Sequence, residues 1–394
     1  YPDWAIQKLV YTSRPLLALL PKFEDAVGEV IKFPLMYGDV QNTSADFSTA
    51  LAGTSGVQTS AFLVTRKRNY SLASLDNETV EASKNNAGAF LQYLETSMSS
   101  AMNSLSNQLA MQLYRDGSGA VGIHASESGS GPTTVTLSDA NDIVNFEVGM
   151  QVQAWPSGGA VRAATGKITA VNRESGTFTC AEDLSTWTAN DLISVKGNKD
   201  AVLSGLQGWI PVGSGRSSAL AASYYGVTRS TDSVRLGGVY LDKSGSPIEE
   251  GIVDGLNKAI QIGDGNFDVL MVNPMDFSTL EKALGSKVQR VQMSTEIKEG
   301  GIVRGVVGFN ALEIYYAGGS VKVVADRFCP KGFAYALTLE SLKFCSLGNA
   351  VRIFDQDGRP VLRSATADAL TFRVFSYSNL YCTAPGKNAI LKIA

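Results

Sequence analysis

Asp76–Arg115 reads DNETVEASKNNAGAFLQYLETSMSSAMNSLSNQLAMQLYR, and its periodicity decides what kind of chain this is. Phe90, Leu94, Met98, Ala101, Leu105, Leu109 and Leu113 recur at steps of three or four, which stacks them on one face of a helix. Asp76 or Asn77 suits the N-cap, Glu78 and Glu81 suit the positive end of the helix dipole, and Gly117 stops the run. The pattern predicts one unbroken helix over 76–115, about 60 Å long at about 1.5 Å per residue. Its flanks are Ser, Asn, Gln and Thr with few charges, so the rod wants neighbours along its length. Such a rod is more natural in an assembled structure than in a compact enzyme.

The chain has 394 residues, 44% hydrophobic and 18% charged. That is enough for a sizeable core and for two or three domains. Charge lies below the usual quarter, a dilution that suits a surface covered by neighbouring copies. The net charge of -3 gives no broad basic field for gripping nucleic acid. Cys180, Cys329, Cys345 and Cys382 are far apart without a CxxC pair. This argues against a zinc ribbon or a disulfide framework and fits a reducing compartment. No apolar run reaches the roughly eighteen residues that cross a membrane. The chain opens at Tyr1, which leaves a processed N-terminus and a preceding leader both open.

Residues 1–56 are broken by Pro2, Pro15, Pro21, Pro34 and several glycines, and read as mostly extended with one strand at 29–35. A segment so poor in regular elements cannot fold alone, so its apolar residues dock on its own body or on a neighbour. Residues 61–72 are β-prone and carry the dense basic run Arg66-Lys67-Arg68. Residues 118–200 turn rich in Gly, Ser and Thr, with short strands at 133–137, 151–155, 167–172, 177–180 and 191–196. They predict an inserted β-barrel or sandwich whose core Trp155 and Trp187 fill. Further on, Ser246-Pro247-Ile248-Glu249 reads as a capping box opening a helix through Ile252, Leu256 and Ile260. A buried strand at 267–272 comes next, then Asn273-Pro274 capping a second helix on Phe277, Leu280 and Leu284. Beyond Gly301 the chain is mostly β.

Chemistry is poorly represented. The single histidine, His124, excludes paired-His zinc sites and reads as a surface loop residue rather than a triad member, since no GxSxG elbow exists. Thr165-Gly166-Lys167 lacks the rest of a phosphate loop and reads as a turn entering a strand. Asp355-Gln356-Asp357-Gly358 lacks the closing Glu of a calcium loop and reads as a hairpin turn. The default reading of Arg66, Lys67 and Arg68 is a solvated loop tip; the functional reading is an electrostatic contact with an adjacent subunit. No catalytic, cofactor or metal residue emerges.

The segment order resembles that of tailed-phage major capsid proteins of the HK97-like fold. Residues 14–22 and 30–38 look like the family's N-arm, 57–75 like its two-stranded extended loop, and 76–117 like its long spine helix. Residues 246–285 resemble its axial domain, and 368–373 with 379–385 its closing strands. The resemblance implies an α+β HK97-like capsid fold: arm 1–56, loop 57–75, spine helix 76–117, inserted all-β domain 118–200, axial α/β domain 201–310 and closing strands 311–394. It implies self-assembly into hexamers and pentamers of an icosahedral shell around double-stranded DNA, enclosed without strong binding, and no cofactor. Scaffolding, portal and decoration proteins are the partners it implies, and the virion, assembled in host cytoplasm, the location. Leu16, Leu17, Leu19 and Leu20 of the arm, with the basic run, are the expected inter-subunit contacts. Some relatives crosslink through a Lys and an Asn; Lys67 is a candidate without an assigned partner. The rivals are an encapsulin-like compartment in the same fold and, from another class, a hydrolase or carbohydrate-binding protein carrying a β-domain.

Overall fold

The computed structural model describes residues 3–24, 28–78, 87–285, 289–299, 302–355, 361–363 and 368–393. At the start, a proline expected to break structure opens a helix instead. α1 spans Asp3–Tyr11 and α2 Pro15–Leu19. Pro15 takes the first helical position of α2, where its fixed φ suits the turn and its missing N–H costs nothing. Leu16, Leu17 and Leu20 are buried in the main core, each burial worth roughly 2 kcal/mol. Arg14 fastens the segment: its guanidinium donates to the carbonyls of Leu9 and Val10, both at 2.9 Å, and to Asn107 Oδ1 at 2.7 Å on the long helix. The expected extended arm is therefore, over its first third, a pair of helices folded back on their own chain.

After β1 (Lys22–Phe23) come β2 (Val30–Gly38), α3 (Phe47–Ala52), β3 (Gln58–Thr65) and β4 (Lys67–Asp76). β2 and β3 pair antiparallel from Val30 opposite Thr65 to Gly38 opposite Gln58, with α3 at the far end. The two-stranded loop is thus built from β2 and β3, not from 57–75. Only Arg66 separates β3 from β4, too little for a hairpin turn, so the chain runs on from one sheet into another. β4 pairs instead with the C-terminal strand Ala369–Cys382.

Asp76, expected as a helix cap, ends β4, where its neighbour Leu75 is buried opposite Leu370. Asn77 and Glu78 are helical, 79–86 (with Glu81) lie outside the described residues, and α4 is Ala87–Gln112. At 26 residues this described run is about 39 Å long. Its described stripe is as expected: Ala101, Leu105 and Leu109 are buried, as is Leu113 in the adjoining turn. The side chains of Phe90 and Leu94 lie outside the described residues.

Residues 122–195 form a closed barrel of β5 (Gly122–Ser128), β6 (Thr133–Leu137), β7 (Gln151–Trp155), β8 (Thr165–Asn172), β9 (Thr177–Cys180) and β10 (Leu192–Val195). Trp155 and Trp187 are buried, and Phe146 stacks on Phe178 at 4.9 Å. Gly122 pairs with Ile193, so the chain enters and leaves the barrel side by side. It returns to where it left. Leu206 N–H donates to Leu113 O at 2.7 Å and Gln207 N–H to Tyr114 O at 3.2 Å, satisfying carbonyls that a helix end leaves open. A Cβ on Gly205 would lie 2.3 Å from Leu113 O, so only glycine allows this approach.

Two sheets complete the body. After the short helices α5 (Leu206–Trp209) and α6 (Arg216–Ala221) come β11 (Val239–Asp242), α7 (Ile248–Gly263), β12 (Val269–Val272), α8 (Pro274–Leu284), β13 (Gln289–Glu299), β14 (Ile302–Tyr316), β15 (Gly319–Ala325) and β16 (Phe333–Leu337). The remaining strands are β17 (Leu342–Ser346), β18 (Arg352–Ile353), β19 (Val361–Arg363), β20 (Ala369–Cys382) and β21 (Ala389–Lys392). The seven-stranded sheet, in the region expected to be the axial sheet, runs β11-β21-β16-β12-β15-β14-β13. Every residue of β12 is buried, because both faces are covered. Leu270 and Val272 meet the α7–α8 layer, while Val269 and Met271 face the main core. α7 begins without the expected capping box, Pro247 holding the cap position, whereas Asn273 caps α8 by accepting from Met275 N–H. In the six-stranded sheet β20 is central, with β4 on one edge and β19, β18 and β17 in succession on the other.

Because the first helices are part of the core, Leu17→Ala should destabilise the isolated subunit by about 2–5 kcal/mol. A melting temperature unchanged from the parent would contradict the folded-back arrangement.

Candidate contact surfaces

The β2–β3 hairpin is anchored at its base and bare at its tip. At the base Phe33 stacks on Tyr381 with centroids 3.4 Å apart, and Phe62 meets Trp209 edge-on at 5.0 Å. From Met36 to Ala61 no residue is buried. The tip nevertheless holds a formed helix. Asp46 caps α3, accepting from Thr49 N–H at 3.0 Å, Thr49 Oγ1 at 2.7 Å and Ser48 Oγ at 2.5 Å. The Ser48 and Thr49 hydroxyls, with the Thr49 N–H, hold its carboxyl down at about 2. One turn apart on that helix, Phe47 and Leu51 are 80% and 63% exposed. A short helix with no buried residue is unfavourable in a lone molecule. It becomes favourable if the apolar face is covered elsewhere.

A second surface lies on the six-stranded sheet. β20 alternates strictly over 372–378: Phe372, Val374, Ser376 and Ser378 point into the core, while Arg373, Phe375 and Tyr377 point out. β4 sets Leu72, Tyr70 and Arg68 opposite those three. Beyond β20, Arg352 lies over the Phe375 ring at 5.1 Å, and Arg373 over Phe354 at 5.9 Å. The Tyr70 and Tyr377 hydroxyls are 3.2 Å apart.

The expected contact residues are scattered by the fold. Leu16, Leu17 and Leu20 are buried within the chain, and Leu19 is partly buried against the same core. Arg66, Lys67 and Arg68 sit at the β3–β4 junction rather than at a loop tip. Lys67 Nζ donates to Asp200 O, at 3.1 Å, where the chain leaves the barrel. Of the three, Arg68 belongs to the outer sheet face. Its alternation with Tyr70 and Leu72 is visible in the sequence, but the partner strand is not.

His124, expected in a surface loop, is wholly buried on β5. Its Nδ1 lies 2.9 Å from Thr188 O, its Nε2 2.9 Å from Glu127 Oε2, and its ring meets Trp187 edge-on. The bulge after His124 leaves room for this. Gly166 begins a strand as expected, where a Cβ would crowd Cys180 at 2.9 Å. The turn at Asp355 continues into 356–360, outside the described residues. Among the described residues no group of three or more His, Cys, Asp or Glu is placed to hold a metal, and no helix is long and apolar enough to cross a membrane. A cleft of about 470 Å³ between α7, α8 and β14 is lined by Glu249, Glu250, Asp254 and Glu313.

No sequence-family profile matches the chain, and no curated protein matches it by sequence. Its three-dimensional relatives are clear. The chain is similar to the capsid subunit of cyanophage A-1(L), with a TM-score of 0.54 and 11% identity over 97% of this chain and 93% of that one. It also aligns with the capsid of a native GTA particle (TM-score 0.46, 9% identity, 97% and 91% covered). A third match is the SrpI encapsulin of Synechococcus elongatus (0.44, 9%, 97% and 87%). At such identities the likeness concerns architecture, and it rests on the cyanophage subunit. With an anchored hairpin, a long helix, an axial sheet and an inserted barrel, the chain has an α+β HK97-like capsid fold.

Proposed function

We propose that this chain is the major subunit of an icosahedral shell, assembling through hexamers and pentamers around double-stranded DNA. The observation that carries this reading is the α3 tip, a preformed helix whose Phe47 and Leu51 have no partner among the described residues. Placed on an adjacent copy, those two side chains would contribute roughly 2 kcal/mol each. One such contact is weak, but a heterologous contact repeated around a closed ring is made by every subunit at once. Of the arm expected over residues 1–56 to reach a neighbour, the part within this hairpin is left to do so, since the first helices are packed in their own core.

Electron microscopy of the expressed protein tests the reading. Rings or shells are expected; dispersed single subunits at high concentration, even with a scaffold supplied, would overturn it. Nuclease-protected DNA inside shells separates a viral capsid from a protein-filled compartment. Phe47→Glu with Leu51→Glu should block assembly while leaving the subunit's melting temperature within a few degrees of the parent.

Asp46→Ala removes the cap and should speed amide exchange over 47–52 without unfolding the body, slowing assembly rather than abolishing it. Because the Asp46 carboxyl is held below its ordinary value, its contribution is complete above about pH 4 and is lost as pH falls through about 2. Tip exchange insensitive to acid across that window would contradict the capping role.

A further inference from the structure

On the outer face of the six-stranded sheet, cations and rings are interleaved in both directions. Along β4, Arg68 is followed by Tyr70 two residues on; along β20, Arg373 is followed by Phe375 and Tyr377. Across the sheet Arg68 faces Tyr377, and Arg352 faces Phe375. None of the three arginines makes an ion pair with a described residue; Arg352 and Arg373 lie on rings instead. Tyr70 is 51% exposed. Three arginines without a described ion-pair partner, on a chain of net charge -3, suit an anionic partner.

We propose that this face binds a nucleic-acid strand with unpaired bases, its phosphates on Arg68, Arg352 and Arg373 and a base stacked on Tyr70. Guanidinium groups answer phosphates, and exposed aromatic rings answer base faces, which a duplex keeps hidden in its stack. Alternate residues of a strand stand about 6.8 Å apart, a step that an extended nucleotide chain can match. The rival occupant, the hairpin tip of a second copy, fits less well. Between Phe33 and Thr65 it carries only Asp39 and Asp46 as acids, and the Asp46 carboxylate already accepts three hydrogen bonds from its own helix. One free carboxylate does not answer three guanidiniums. With so few cations the binding is weak and salt-dependent.

This proposal stands apart from the duplex-enclosing shell reading, and binding by dispersed full-length protein is measured without it. Fluorescence anisotropy with a labelled oligothymidylate and with a duplex of equal length, at about 50 mM salt, reads the face directly. The single strand should bind more tightly than the duplex. Replacing Arg352 and Arg373 together by Ser should weaken it at least about tenfold and lower the log–log salt slope by about 1.4, whereas replacement by Lys should keep the slope. Tyr70→Ala should weaken single-strand binding about fivefold or more and leave the duplex unchanged. Circular dichroism of each variant checks that it is folded. Equal affinities of parent and double-Ser variant would overturn the proposal, as would a duplex that binds as well as the strand regardless of Tyr70. So would variants that block assembly in the microscope while binding oligonucleotide as the parent does, because the face would then be a contact between copies.

Discussion

The structure depends on how the chain closes the C-terminal end of its long helix. Leu113 and Tyr114 would leave buried carbonyls without donors, a deficit of about 1–3 kcal/mol each. The donors come from Leu206 and Gln207, on the far side of the barrel in sequence. A whole module can be inserted there because its two ends lie together and the helix is capped by α5, the first helix beyond the barrel. The same point gathers the other parts. Tyr114 donates its hydroxyl to Asp326 at 2.8 Å, which ties the helix to the axial sheet, and Asp326 also accepts from Leu16 N–H at the start of α2. Burial pushes the Asp326 carboxyl up, against the pull of Phe328 N–H, the Tyr114 hydroxyl and Leu16 N–H. Arg115 reaches the barrel through Asp142 at 2.6 Å.

From that joint the long strand β20 distributes the load. Its inward residues, Phe372 and Val374, are fully buried, and near its C-terminal end Asn379 donates to Thr65 O at 2.7 Å and accepts from Ser204 N–H at 3.1 Å. That asparagine fixes the place where β3 gives way to β4, and hence the direction in which the hairpin leaves the body. The period-two alternation then gives the same strand an outer face free for other work. Core and contact surface are two sides of one element, and each constrains the other's register.

The features readable in the sequence are those that local periodicity controls. The Leu105–Leu109–Leu113 stripe, the Asn273 cap and the short barrel strands each carry their signal within a few residues. The α1–α2 pair does not, because helices so short draw their stability from tertiary burial rather than from propensity. Arg14 shows the difficulty: its side chain satisfies carbonyls on α1 and amides on the long helix, and neither set is visible around Pro15. Periodicity alone does not show that Asp76 closes a strand, because its neighbour Leu75 pairs with a strand near the other end of the chain. The outer sheet face is hidden for the same reason. Tyr70 and Tyr377 are 307 positions apart, and their alternations make a surface only once β4 and β20 are paired.

In the proposed shell subunit, folding and assembly would fall to different parts of the chain. The leucines nearest the N-terminus lie inside, where they stabilise the subunit whether or not it meets another. The hairpin uses its apolar residues in two ways: Phe33, Leu35, Phe62 and Val64 anchor its base, while Phe47 and Leu51 remain outside. Had the whole hairpin been bare, ordering it on contact would consume much of the free energy gained by burial. Because the base is pinned and the tip helix is already capped by Asp46, docking need only bury surface. In the proposed shell, that would leave a modest contact able to be made, broken and corrected while a ring closes, with the subunit itself staying folded throughout.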